Sequence, residues 1–252
     1  MTVSSVHHVF DSVITMPVRI RSARCFVAGY TASIDAVRAA IDRRGATDLA
    51  PLEIRRGRSL AMLVFVQYLD GDLGPYHEFG VCFLMQPPGA AASPMRALRA
   101  LGAGDAHALI HELPVDGEFT MAAGRGIWGF PKVLADFDVN HDSPTKHGRV
   151  SQDGRLIVDL RVKHGLAVPS AAGGAVLQAY SQLDGITRRT PWQLDATVGT
   201  RTRLGGATLT LGDHPIADEL RRLQLGRTAL MSSSVADLSM TFDDATVLTP
   251  GE

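Results

Sequence analysis

The chain carries 25 lysines and arginines together, yet only three are lysines: Lys132, Lys146 and Lys163. Arginine cannot lose its proton in a protein, whereas lysine can, and its free amine attacks carbonyl carbons. A lysine kept in an arginine-rich chain is therefore the first place to look for chemistry. Lys132 stands in Trp128-Gly129-Phe130-Pro131-Lys132-Val133-Leu134, one amine among large apolar residues. Two readings are open. The ammonium snorkels to water along its own stem, or the amine is held in an apolar pocket, where desolvation disfavours its charged form. In the second case it adds to a ketone and forms a Schiff base. A second candidate is Glu78 in Tyr76-His77-Glu78-Phe79-Gly80. It is either a solvated strand end or an inward carboxylate, and an inward one needs a cationic partner. A lysine-derived iminium is such a partner.

The remaining motifs carry less. Gly124-Arg125-Gly126-Ile127-Trp128-Gly129 matches the dinucleotide fingerprint G-x-G-x-x-G, but Phe130-Pro131 follows at once and the strand–helix context is missing. It is expected to be a tight bend rather than a nucleotide site. His107 and His111 have helical zinc-ligand spacing but lie in a segment that alternates like a strand, with no third ligand evident, so no metal site is expected. Cys25 and Cys82 lie in apolar strands and are expected to be buried, inert thiols. His7, His8, His141, His147 and His164 are expected at the surface, and His214 at a helix start. No feature asks for an organic cofactor.

These groups need a scaffold, and the chain supplies one. Its 252 residues are 45% hydrophobic and 20% charged, enough to build a packed core. Net charge is −1, which gives no basic field for nucleic acid or an anionic membrane. Two cysteines make no disulfide framework. No signal peptide and no membrane-spanning stretch is evident, so a cytoplasmic protein is expected. Turn clusters are short and scattered, with no repeat or long linker, which points to one domain over residues 1–252.

Most segments read as strands: 24–30, which alternates weakly, 59–69, a buried apolar run, then 78–86, 107–115, 133–140 and 155–163, the last with the period of a half-buried strand. Residues 196–211 are expected to form a hairpin with Gly205-Gly206 at its turn. Helices are expected over 34–43 with Ser33 as cap, from Ser93-Pro94 to about 101, and from Asp213 and Pro215 to about 223. Strands following strands indicate an α+β fold of mostly antiparallel β, without βαβ alternation.

Gly124-Arg125-x-x-x-x-Phe130-Pro131-Lys132 resembles the Schiff-base lysine motif of the acetoacetate decarboxylase family. Tyr76-x-Glu78-x-Gly80 is similar to that family's pocket-glutamate segment, and residues 212–221 to its C-terminal helix. The resemblance runs from about residue 17 to about residue 248. It implies a cone-like β-barrel with surrounding helices, usually in a homo-oligomer. It also implies that Lys132 is the nucleophile, with Glu78 in the same pocket; lysine activation by desolvation in this family is an established example. Tyr76, Trp128 and Phe130 are expected to line the substrate site. Arg24 is expected to bind a carboxylate if the register slips by one, since Ala23 occupies the family's arginine position.

Val133 stands where the best-known members have a second lysine, and Gly126 where they have a glutamate. No acidic residue occurs in Leu63-Val64-Phe65, where a second pocket acid is expected. Fewer charges favour a larger or less anionic substrate. The expected function is a cofactor-independent Schiff-base lyase that decarboxylates a β-keto acid such as acetoacetate or a larger analogue. The alternatives are a Schiff-base aldolase or dehydratase acting on a keto acid, and a non-catalytic barrel that binds carbonyl ligands.

Overall fold

The computed structural model describes residues 5–45, 49–87, 105–169 and 172–248. A hairpin of β1 (Val6–Val9) and β2 (Ser12–Thr15) leads into β3 (Val18–Ser33) and helix α1 (Ile34–Asp42). Long strands β4 (Arg58–Gly71), β5 (Tyr76–Leu84) and β6 (Asp105–Val115) follow, then helix α2 (Glu118–Trp128). Next come β7 (Lys132–Leu134), β8 (Asp136–Asn140), β9 (Lys146–Gln152), β10 (Arg155–Val162), β11 (Leu166–Ala167), β12 (Ala172–Leu183) and β13 (Ile186–Val198). The chain ends with β14 (Arg201–Leu204), β15 (Ala207–Leu211), helix α3 (Pro215–Arg222), β16 (Met231–Phe242) and β17 (Thr246–Val247).

The strands β16, β3, β4, β5, β6, β12 and β13 pair in that order, and β13 returns to β16, so the sheet closes into a barrel. Closure removes the free edges of an open sheet. Every pair in the ring is antiparallel except β6 with β12. This is the expected mostly antiparallel α+β barrel.

Side chains alternate across each wall strand. On β5, Glu78, Gly80, Cys82 and Leu84 face the barrel interior, where they line a cavity. Phe79, Val81 and Phe83 face outward and join a buried core. That core lies between the barrel wall and a second sheet, ordered β15-β10-β9-β8, which contributes Val150, Ile157, Val158 and Leu160. Helix α1 adds Val37 and Ile41, and α3 adds Ile216 and Leu220. Ser33 Oγ accepts from Ala36 N at the start of α1, as expected.

Several expectations change. The cap of α3 is His214, whose Nδ1 accepts from Ile216 N; Asp213 lies one residue too early. Gly205 and Gly206, both at positive φ, do not close a hairpin. They join β14, in the barrel sheet, to β15, in the second sheet. The expected bend at Gly124–Gly129 is instead the last turns of helix α2. Helix α2 joins β6 to β7, which pair in parallel, so one βαβ unit is present. The helix expected from Ser93 to about 101 lies outside the described residues. His141 is buried against Phe26 rather than exposed. Among the described residues no helix is long and apolar enough to cross a membrane.

Candidate active site

The βαβ unit places the lysine. Helix α2 stops at Gly129, whose φ of 64° is left-handed backbone that favours glycine. The Phe130 N–H then donates back to the Gly124 carbonyl at 3.0 Å. Pro131 leads directly into β7, where Lys132 pairs with Leu113 of β6. The same edge of β6 is held by β12 only as far as Ile110, opposite Ser181. Lys132 therefore enters the wall where β12 parts from β6.

The three glycines of the G-x-G-x-x-G match have separate tasks. A Cβ on Gly124 would fall 2.5 Å from Lys132 Cδ, so its absence lets the lysine stem lie against the helix. Gly126 faces open space, and Gly129 ends the helix.

Lys132 is 2% exposed and Glu78 5% exposed. Their Nζ and Oε2 lie 2.9 Å apart, an ion pair inside the protein. The other carboxylate oxygen, Oε1, accepts from the Tyr68 hydroxyl at 3.0 Å. Lys132 Nζ also sits 4.8 Å from the centre of the Tyr76 ring, which is stacked on Tyr68 at 4.2 Å. Burial, followed by the Glu78 charge, holds both phenols well above their ordinary pKa, so they remain protonated. The surroundings thus supply a carboxylate with one partner on each oxygen and a cation over an aromatic face.

Glu78 and Tyr68 form part of the wall of a cavity of about 420 Å³ inside the barrel. Among the described lining residues, Glu78 is the one that carries charge. Trp192, Leu113 and Met240 are also in the wall, as are both cysteines. Cys25 and Cys82, expected to be buried, are half-buried and border the cavity instead of filling a core, with desolvation pushing both thiols up to about 12.

Lys132 and Tyr76 are one layer removed: they contact Glu78 and Tyr68 without lining the cavity themselves. Trp128 and Phe130 stack on one another and, with Trp192 and Phe242, form an aromatic cluster. The Trp128 ring N–H donates to the Asp243 carbonyl, and its own carbonyl accepts from Ser181 Oγ. Arg24 is not brought to this site. Its neighbour Cys25 faces the cavity, so Arg24 projects from the other side of β3, where it donates to Gln67 Oε1 and Asp142 Oδ1, each at 2.7 Å.

His107 pairs with the Tyr180 hydroxyl, and His111 with Glu219 at 3.4 Å. Among the described residues no three potential metal ligands converge. Sequence reasoning missed Tyr68, Trp192 and the role of Gly124. Tyr68 was accessible in principle: it shares parity with Val64 and Val66 along β4, and strand pairing sets it opposite Tyr76.

Comparison with known proteins agrees with this fold. The family model for acetoacetate decarboxylase (ADC) matches residues 9–249. No curated protein matches the sequence. Among solved structures, acetoacetate decarboxylase from Legionella pneumophila subsp. pneumophila str. Philadelphia 1 superposes with a TM-score of 0.66 at 17% identity, covering 92% of this chain and 87% of that one. Another acetoacetate decarboxylase structure gives 0.63 at 18% identity over 92% and 89%. The enduracididine biosynthesis enzyme MppR, complexed with pyruvate, gives 0.65 at 16% identity over 94% and 91%. At these identities the neighbours speak for the fold alone, while the family model spans almost the whole sequence. The chain belongs to the acetoacetate decarboxylase family.

Proposed function

We propose that the protein is a Schiff-base lyase in which Lys132 is the nucleophile and Glu78 its proton partner. One observation carries this reading: a buried lysine amine 2.9 Å from a buried carboxylate that itself forms the cavity wall. At that distance, transfer of one proton turns the ion pair into a free amine and a carboxylic acid. The amine adds to the substrate ketone and water leaves, giving a protonated imine. In a β-keto acid this imine accepts the electron pair of the bond to the carboxylate. Carbon dioxide departs and an enamine remains. One proton added to the enamine carbon, followed by water, releases the ketone and restores the lysine. The net change is one proton consumed per carboxylate lost. Glu78 is the proton carrier in reach, with Tyr68 fixing its orientation through Oε1. The apolar wall favours a step that removes charge. The nitrogen reaches the cavity only when its contact with Glu78 opens, so pair opening precedes attack.

A second reading keeps the imine and changes the bond: aldol-type condensation or dehydration of a keto acid. No cationic side chain occurs among the described cavity-lining residues, so neither reading has a partner in place for the substrate carboxylate. The MppR neighbour, which has also been solved with the condensation product of pyruvate and imidazole 4-carboxaldehyde, is consistent with the second reading. Borohydride reduction in the presence of acetoacetate or pyruvate, read by peptide mass, tests the shared step. A mass increase on the Lys132 peptide is expected, and its absence with every keto acid removes both readings. Carbon dioxide release from acetoacetate then selects the first, while consumption of an aldehyde acceptor with pyruvate selects the second.

A further inference from the structure

We infer that the carbonyl substrate carries a hydrocarbon tail that lies inside the barrel, along β4 and β5, away from Glu78. This rests on the Lys132 reading for where the carbonyl sits, but the evidence for the tail is separate. Both reactive contacts are at one end of the cavity. Glu78 on β5 and Tyr68 on β4 lie within one pleat of each other, since Tyr68 is paired with Tyr76 and Val66 with Glu78. The cavity continues along the same strand faces to Met62 and Leu84. Six residues of β5, at about 3.4 Å each, separate Glu78 from Leu84, roughly 20 Å.

The far end is built to hold carbon. Its described wall includes Met62, Leu84, Ala106, Ala108 and Leu177, with no charged side chain. Small residues at Ala106, Ala108 and Gly80 leave the room, and Met62 and Met240 have adaptable thioether chains that follow an irregular ligand surface. The volume of about 420 Å³ falls in the range of small-molecule sites. It corresponds to about fourteen waters at roughly 30 Å³ each. A keto acid of four carbons held at Glu78 leaves most of that space as water against apolar walls. A tail displaces this water, and each buried methylene improves binding about fourfold.

The test is a chain-length series. Acetone, 2-heptanone and 2-undecanone are each reduced onto the wild-type protein with borohydride, and labelling of the Lys132 peptide is measured against concentration. The half-saturating concentration is expected to fall by about fourfold per methylene over the first several carbons. In Ala108→Phe, which fills the far end, the advantage of the long ketones over acetone should collapse. Straight-chain 1-alkanols, which have the tail but no carbonyl, should bind with the same length dependence, read by tryptophan fluorescence and by competition with labelling. If acetone labels as well as 2-undecanone and the alkanols do not bind, the tail inference fails while the Schiff-base reading stands. If no ketone labels but alkanols bind with length dependence, the Schiff-base reading fails and the tail stands. The wild-type series and the alkanols decide the matter even if Ala108→Phe does not fold.

Discussion

The two faces of β4 and β5 are put to opposite uses. Outward, Phe65, Phe79 and Phe83 are fully buried, and Phe65 packs on Phe26 and Phe79 at ring distances of 5.1 and 4.8 Å. The second sheet presses against them so closely that a Cβ on Gly148 would fall 2.7 Å from the Phe65 ring. Inward, the next residues along the same strands are Val64, Val66, Glu78, Gly80 and Cys82, which border open space. Adjacent residues thus serve opposite ends. The outer face gains dispersion and hydrophobic energy from close packing. The inner face gives up packing and keeps a carboxylate and an amine out of water. A barrel with a core outside its wall can leave its interior open for a ligand.

The sharpest way to break this division is to remove the inner cation. Lys132→Met should abolish borohydride labelling and turnover altogether. It also leaves Glu78 buried without its cation, a change that typically costs about 3–5 kcal/mol. The double variant Lys132→Met/Glu78→Gln should stay inactive and recover much of that stability. Urea unfolding of the wild type, the single variant and the double variant checks this. A single variant as stable as the wild type would mean that the pair is not buried as described.

Packing should respond on the other face. Phe65→Ala is expected to cost about 3–5 kcal/mol, because a large side chain leaves a cavity in a filled region. Val64→Ala, one residue away, already borders open space and should cost only about 1.5 kcal/mol, the transfer of two carbons. Equal losses in urea unfolding would contradict the contrast between the faces.

Gly124 and Gly126 repeat the comparison within one helix. A methyl on Gly124 collides with the Lys132 stem, so Gly124→Ala should cut turnover tenfold or more while leaving the helix in place. Gly126→Ala meets nothing and should stabilise the protein by about 0.5–1 kcal/mol, the helix advantage of alanine. Single-turnover labelling of Lys132 and thermal melting separate the two effects. Equal behaviour would show that the lysine stem does not lie against Gly124.

Part of the inner face was legible in the sequence. Tyr76, Glu78 and Gly80 share parity, so a strand places them on one face, and the family resemblance tied that face to Lys132. The α2 helix was not legible. Its glycines at 124 and 126 and the Phe-Pro that follows read as a bend; what makes it helical is tertiary, a return from Phe130 N–H to Gly124 and packing of Ile127 and Trp128 into the core. Arg24 was misplaced for a related reason. A motif offset by one residue looks minor in sequence, but a shift of one along a strand moves a side chain through the wall. The Gly205-Gly206 turn misled because a two-glycine turn specifies a reversal and not the partner that each flanking strand finds.

A change of pH should strike the outer face rather than the inner one. His141 packs on Phe26, and burial, followed by the nearby Arg24 charge, lowers its pKa from 6.5 to about 4. The folded protein therefore binds fewer protons here than the unfolded chain. The stability this gives is fully present above pH 6.5 and is lost as the pH falls from 6.5 through 4, at most a few kcal/mol and about 2 kcal/mol as an order of magnitude. Glu219 acts lower on the scale. Its hydrogen bonds from His111 and Arg43 hold its carboxyl at about 2, so its contribution is present above pH 4.5 and fades as the pH falls from 4.5 to 2. Urea midpoints measured from pH 7 to 4 should fall in the wild type and stay flatter in His141→Leu, which has no proton to take up at that position. The same slope in both proteins would place the acid-sensitive group elsewhere.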